Sequence, residues 1–265
     1  MRRVVGNLVK KALKRADVAV VSHGLLTRLR EASVENRRKQ SGIELILDLP
    51  KEQSSRLVEA LSKSKAQVAQ DLFVLSELDF KEDGFFVEFG ATNGIHLSNT
   101  YLLESEYGWR GILAEPARCW HEDLKKNRSG SVETDCVWKE SDIQLTFNEV
   151  EQGELSTIDA YSMSDSHGKS RSDGKTYKVR TISLEGLLEK HKAPREIDYL
   201  SIDTEGSEFQ ILSTFNFDKY RINIITCEHN FSETREQVYA LLSQKGYVRK
   251  HVDRSRFDDW YVRGD

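Results

Sequence analysis

The stretch Phe85-Phe86-Val87-Glu88-Phe89-Gly90-Ala91-Thr92-Asn93-Gly94 decides the fold. Residues 85–89 are apolar except for Glu88, the pattern of a central strand covered on both faces. Gly90 and Gly94 bracket a predicted turn, where the missing Cβ lets the backbone come close to a ligand. A helix is predicted to open after that turn and to offer free N–H groups, with Asn99 and Thr100 on it. A glutamate just ahead of the turn repels a phosphate and suits an amine or a hydroxyl.

Working outward, residues 111–114 predict a second strand ending in Glu115-Pro116. An acidic residue there is where a doubly wound sheet places the acceptor for ribose hydroxyls. A third short strand is expected, with Asp135-Cys136-Val137 near its end. The turn lacks the middle glycine of the dinucleotide fingerprint G-x-G-x-x-G. A ligand with an amino group, a carboxylate and a ribose fits these strand ends better than a dinucleotide does. S-adenosylmethionine is such a ligand.

Further along, residues 197–202 predict another buried strand, ending in Asp203-Thr204-Glu205-Gly206-Ser207-Glu208. Residues 222–226 predict its neighbour, ending in Cys227-Glu228-His229-Asn230-Phe231. Parallel neighbours would bring Asp203 and Glu205 near Glu228 and His229. Carboxylates gathered at one strand end are costly without a cation or a hydrogen-bonding ligand. Two chemistries stay open. His229 acts as general base with its basicity raised by the carboxylates, or Asp203, Glu205 and Glu228 hold a divalent ion such as magnesium. Residues 247–252 and 259–262 then read as a closing antiparallel pair, which methyltransferase-type sheets show and nucleotide dehydrogenases usually lack.

Composition bounds the rest. A chain of 265 residues suits one large domain with a small appendage. A net charge of −4 argues against a dedicated nucleic-acid binder. No apolar run has the length of a membrane span, and no signal core opens the chain. The three cysteines, Cys119, Cys136 and Cys227, read as buried free thiols in a reducing compartment, hence a cytoplasmic protein.

Residues 1–50 read as a basic helical extension ahead of a domain over 51–265. They are rich in Lys and Arg, from Arg2 and Arg3 to Arg37, Arg38 and Lys39. Either their basic face is simply solvated, or it touches an anionic membrane surface or a partner. Residues 51–78 predict one helix or two, with Gln70 and Asp71 placed to close over a ligand or simply exposed. Alternation at Ile143, Leu145 and Phe147, and at Tyr177, Val179 and Thr181, predicts two edge strands around a mobile polar loop over 162–175.

Taken together and in order, FFVEFGATNG with Ser98-Asn99-Thr100, GWRGILAEP, TDCVW, IDYLSIDTEGSEFQIL and CEHNF resemble the FkbM family of S-adenosylmethionine-dependent methyltransferases. The resemblance spans about residues 65–262. It implies a class I, Rossmann-like, α/β fold: a seven-stranded, mostly parallel sheet with an antiparallel closing pair. It implies methyl transfer, mostly to hydroxyl oxygens of sugars or other small metabolites. Cofactor contacts are expected from Glu88, Gly90, Ala91, Asn93, Gly94, Asn99, Thr100, Glu115, Pro116, Asp135, Cys136 and Asp203, and a catalytic edge at Asp203, Glu205, Glu228 and His229. The competing expectations are a nucleotide-dependent oxidoreductase on a similar sheet and a non-catalytic cofactor-binding module docked to a partner or membrane.

Overall fold

The computed structural model describes residues 23–162 and 168–264. The chain divides into two compact units, residues 1–37 and 38–265. Of the first, residues 23–37 lie on helix α1 (His23–Asp48); most of the basic extension, residues 1–22, lies outside the described residues. Among the described residues no helix is long and apolar enough to cross a membrane.

In chain order the second unit continues with α2 (Lys51–Leu61), α3 (Gln70–Glu77), β1 (Phe85–Phe89), α4 (Tyr101–Tyr107), β2 (Arg110–Ala114), α5 (His121–Asn127), β3 (Ser131–Glu133) and β4 (Cys136–Trp138). There follow β5 (Gln144–Glu149), β6 (Thr157–Ile158), β7 (Lys175–Ser183), α6 (Leu184–Lys190) and β8 (Glu196–Ile202). The chain closes with α7 (Glu208–Ser213), β9 (Arg221–Glu228), α8 (Arg235–Gln244), β10 (Tyr247–Lys250) and β11 (Asp258–Arg263).

The main sheet has seven strands in the order β10-β11-β9-β8-β1-β2-β3. All pairs from β9 to β3 are parallel, and β11 runs antiparallel to both its neighbours. This is the doubly wound sheet with a closing pair that the sequence predicts. The near-continuous apolar runs of β1 and β8 are buried, as central parallel strands must be.

Register sorts the side chains onto two faces. Phe86, Tyr199 and Ile224 share one face, and Glu88, Ser201, Thr226 and Trp260 form the next row on it. That face packs against Leu72, Phe73 and Leu75 of α3, with the Phe73 ring stacked on Trp260 at 4.7 Å. Val87, Leu200, Ile225 and Tyr261 point to the other face, onto Leu187, Leu212, Val238 and Leu242.

Residues 136–183 build a second sheet, β4-β7-β5-β6. Leu145 faces Val179 and Phe147 faces Tyr177 in an antiparallel pair, as their alternation predicts. The predicted third strand is a different matter. Strand β3 ends at Glu133, and Cys136 and Val137 begin β4 in the second sheet. Residues 163–167 of the expected mobile loop lie outside the described residues. Of the three free thiols, Cys136 and Cys227 are buried, but Cys119 is exposed.

Candidate functional site at the carboxyl edge of the sheet

The chain leaves β1 through Gly90 at φ +70° and Gly94 at φ +82°. A Cβ on Gly90 would run into the Asp203 carbonyl oxygen at the end of β8, and one on Gly94 into the Arg128 side chain. The turn is pinned to β2, where the N–H groups of Gly90 and Ala91 donate to the Ala114 carbonyl. The helix expected right after the turn begins only at Tyr101. Asn93 is the reason: its Oδ1 accepts from the N–H of Ile95 (3.0 Å) and of His96 (2.8 Å), closing a local loop instead of a helical turn. Asn99 and Thr100 therefore precede the helix.

Glu88 is buried, and its oxygens accept from Ser98 Oγ, from the Asn99 N–H (2.7 Å) and from Thr100 Oγ1 (2.6 Å). Arg128 stands 3.6 Å away. It donates to the Gly94 carbonyl (3.0 Å), Thr100 Oγ1 (2.8 Å) and Glu104 (2.9 Å). A buried charge needs such partners. Glu88 and Arg128 together hold the glycine loop in shape, and nothing in the spacing of the sequence singles out Arg128. Asn99 Nδ2 donates to Ser201 Oγ, while its buried Oδ1 has no protein donor.

Glu115, at the end of β2, is buried. It accepts from the N–H of Thr92 and of Ala117, both at 2.8 Å. Burial, with Asp203 and Glu149 nearby, pushes its carboxyl up to about 7 against the pull of those two N–H groups. The Pro116 carbonyl accepts from Tyr177 of the second sheet. Cys136 lies in the same neighbourhood: burial and then the Glu115 and Asp135 carboxylates push its thiol up to about 12. Asp135 is only partly buried, 3.7 Å from Lys190. Glu133, unremarked in the sequence, is the acid that receives Lys190 (2.7 Å) and His191 (3.1 Å).

At the ends of β8 and β9 carboxylate oxygens of Asp203, Glu205 and Glu228 lie within 4.8 Å of one another. Glu205 is not a free ligand. The fully buried Arg171 donates to its Oε2 at 2.7 Å, Asn230 Nδ2 donates at 3.2 Å, and Thr157 Oγ1 donates to its backbone carbonyl. Arg171 and Thr157 come from the second sheet's segment, so that segment closes over the ends of β8 and β9. Asp203 and Glu228 lie close together at this edge. Burial raises Asp203 to about 6, partly offset by a hydrogen bond from Glu228. Burial, and then the Asp203 and Glu205 charges, raise Glu228 well above the ordinary carboxyl range. Both shifts favour the protonated acid, most strongly at Glu228. Asp258, opposite Glu228 in the register, continues the acidic row. It is raised by burial to about 8 and accepts from Gln70 at 2.7 Å. Gln70 and Asp71 are thus buried structural groups, Asp71 accepting from Ser64 and from its neighbour Leu72.

His229 does not join this row. Strand alternation continues through Cys227, so His229 shares the opposite face with Asp259, the partner of Cys227 across β11. Its Nε2 lies 3.9 Å from Asp259 and has no hydrogen-bond partner, and its Nδ1 accepts from the Phe231 N–H at 2.9 Å. The ring lines a narrow cleft with Cys227, Arg235, Asp259 and Tyr261. The expected rise in its basicity is also reversed: burial lowers its pKa against the pull of Asp259, and Arg235 and Arg249 lower it further. Arg235 and Arg249 already hold Asp259 below its ordinary value despite its burial.

The methyltransferase FkbM domain matches residues 88–256 of this chain. No curated protein sequence matches it. Among solved structures the chain is similar to a precorrin-6y C5,15-methyltransferase from Geobacter metallireducens. That match has 12% identity over 68% of this chain and 71% of the other, with a TM-score of 0.34. It is similar too to a human methyltransferase 10 domain containing protein, at 13% identity over 72% and 78% and a TM-score of 0.36.

Proposed function

The chain belongs to the FkbM methyltransferase family, and from that premise we propose an S-adenosylmethionine-dependent O-methyltransferase acting on a hydroxyl of a saccharide or another small metabolite. The observation that carries the reading is the pair of carboxyls Asp203 and Glu228, within 4.8 Å of each other beside the glycine turn and both raised by burial. The residues suit the cofactor. Glu115 is a buried carboxylate with one N–H donor on each oxygen, and two ribose hydroxyls would add to them. Asn99 Oδ1 is a buried acceptor without a donor, which an ammonium would supply. The backbone of Gly90 to Gly94 and the side chains of Pro116, Asp135 and Cys136 would complete the walls.

Bound S-adenosylmethionine supplies an electrophilic methyl group. The protein's own task is to take the hydroxyl proton as the new oxygen–carbon bond forms. Asp203, raised to about 6, is matched to that task near neutral pH. Glu228 stabilises the Asp203 carboxylate by donating to it, and after the transfer the pair holds two protons until one leaves to solvent. Magnesium on Asp203, Glu205 and Glu228 is the other arrangement, and it fits less well because Arg171 already neutralises Glu205 at 2.7 Å.

The test is methylation of a panel of methyl glycosides, read as the mass gain of one methyl-for-hydrogen exchange. Wild type should give the gain in the presence of a chelator. Asp203→Asn should lower turnover by roughly a hundred-fold or more. Turnover lost on chelation and restored by magnesium would overturn the metal-free proton step.

A further inference from the structure

We infer that Phe231 is the platform on which a saccharide acceptor stacks the C–H face of its ring, and that His229 is the residue that positions it. This rests on methyl transfer at the Asp203–Glu228 edge. Phe231 follows the end of β9 by three residues and is 75% exposed. A single exposed apolar side chain is ordinary. Here the backbone around it is not. Asn230 at φ +41° and Phe231 at φ +58° are left-handed in succession, a conformation that a bulky side chain adopts only when its surroundings enforce it.

The enforcing contacts run straight to the reaction edge. Asn230 Nδ2 donates to the Glu205 carboxylate, and the N–H groups of His229 (2.8 Å) and Asn230 (3.2 Å) both donate to the Phe257 carbonyl. The Phe231 N–H donates to His229 Nδ1, and the two rings meet edge-on with centroids 5.1 Å apart. The buried imidazole thus fixes both the backbone and the ring of Phe231. This accounts for a histidine that sits in the motif yet points away from the carboxyl pair. A pyranose presents a patch of C–H bonds on one face and hydroxyls around its rim. An exposed aromatic side chain, next in the chain to the Asn230 that donates to the Glu205 carboxylate, matches both parts.

The experiment measures KM and kcat with methyl glycosides at saturating S-adenosylmethionine, for wild type, Phe231→Ala, Phe231→Trp, His229→Ala and His229→Asn. Phe231→Ala should raise KM for the glycoside ten-fold or more with kcat changed less than three-fold, and Phe231→Trp should restore KM. His229→Ala should raise KM in the same way without moving the pH profile, and His229→Asn, which keeps an acceptor at the δ position, should recover most of the loss. Phe231→Ala with wild-type KM would overturn the platform while leaving glycoside methylation standing. Loss of the pH-dependent limb in His229→Ala would make the imidazole a base and overturn its positioning role. A wild-type protein that binds S-adenosylmethionine yet methylates no glycoside would overturn the saccharide acceptor itself.

Discussion

Gly90 carries two demands at once. It must be left-handed, and it must let the end of β8 pass where a Cβ would stand. Gly90→Ala is therefore expected to lower stability by about 1–3 kcal/mol as well as weaken cofactor binding; thermal unfolding and titration check the two effects, and wild-type values for both would contradict the packing argument. Glu115→Ala removes the acceptor of the Thr92 and Ala117 N–H groups as well as the proposed ribose contact. Its affinity for S-adenosylmethionine should fall about ten- to a hundred-fold. Turnover should rise with pH through about 6, as the Asp203 carboxyl loses the proton that blocks its action as a base; a rate independent of pH between 5 and 7 would speak against Asp203. The positions of Gly90, Glu115 and Asp203 just past strand ends were legible because each stands at a fixed place after an apolar run. His229 was legible as a member of the motif but not in its direction. A two-residue alternation decides which face a side chain takes, and a loop that continues the strand's alternation cannot be recognised without the register. Arg128 left no signal, since its partners come from residues 88 to 104.

Among the elements, β9 and β11 meet at Glu228 and Asp258, two raised carboxyls opposite each other. A carboxyl whose folded pKa lies above its unfolded one holds its proton longer in the folded state. Its contribution to stability is present below the ordinary aspartate value near 4 and is lost as pH rises toward about 8 for Asp258. Asp258→Asn keeps an acceptor for Gln70 and removes the charge. It should stabilise the protein at pH 8 by on the order of 1–3 kcal/mol and flatten this loss; a decrease in stability there would contradict the assignment. Arg171 links the second sheet's segment to Glu205, and Arg171→Met leaves a buried carboxylate without its cation. A loss of about 3–5 kcal/mol is expected, recovered in part by Glu205→Gln in the same chain. Strands β1, β2, β8 and β9 could be located from their apolar runs. The start of α4 could not, because Asn93 spends its side chain on the N–H groups that would have begun a helix. Nor could the break between β3 and β4, where two residues carry the chain from one sheet to another.

At the scale of the molecule, one edge of one sheet gathers a glycine turn, the buried Glu115 and the Asp203–Glu228 carboxyl pair, with a second sheet tied across it through Arg171 and Tyr177. The parallel pairing of β8 with β9 and the closing antiparallel pair were readable from the succession of elements, because parallel neighbours with right-handed crossovers leave few arrangements open. How the second sheet closes over the edge was not, since it depends on a few side chains far apart in sequence. The most direct test of the central claim is calorimetric titration of the wild-type protein with S-adenosylmethionine and, side by side, with NAD. Saturable binding of S-adenosylmethionine, weakened in Glu115→Ala, with no heat from NAD is the result expected. Saturable binding of NAD with none of S-adenosylmethionine would contradict it.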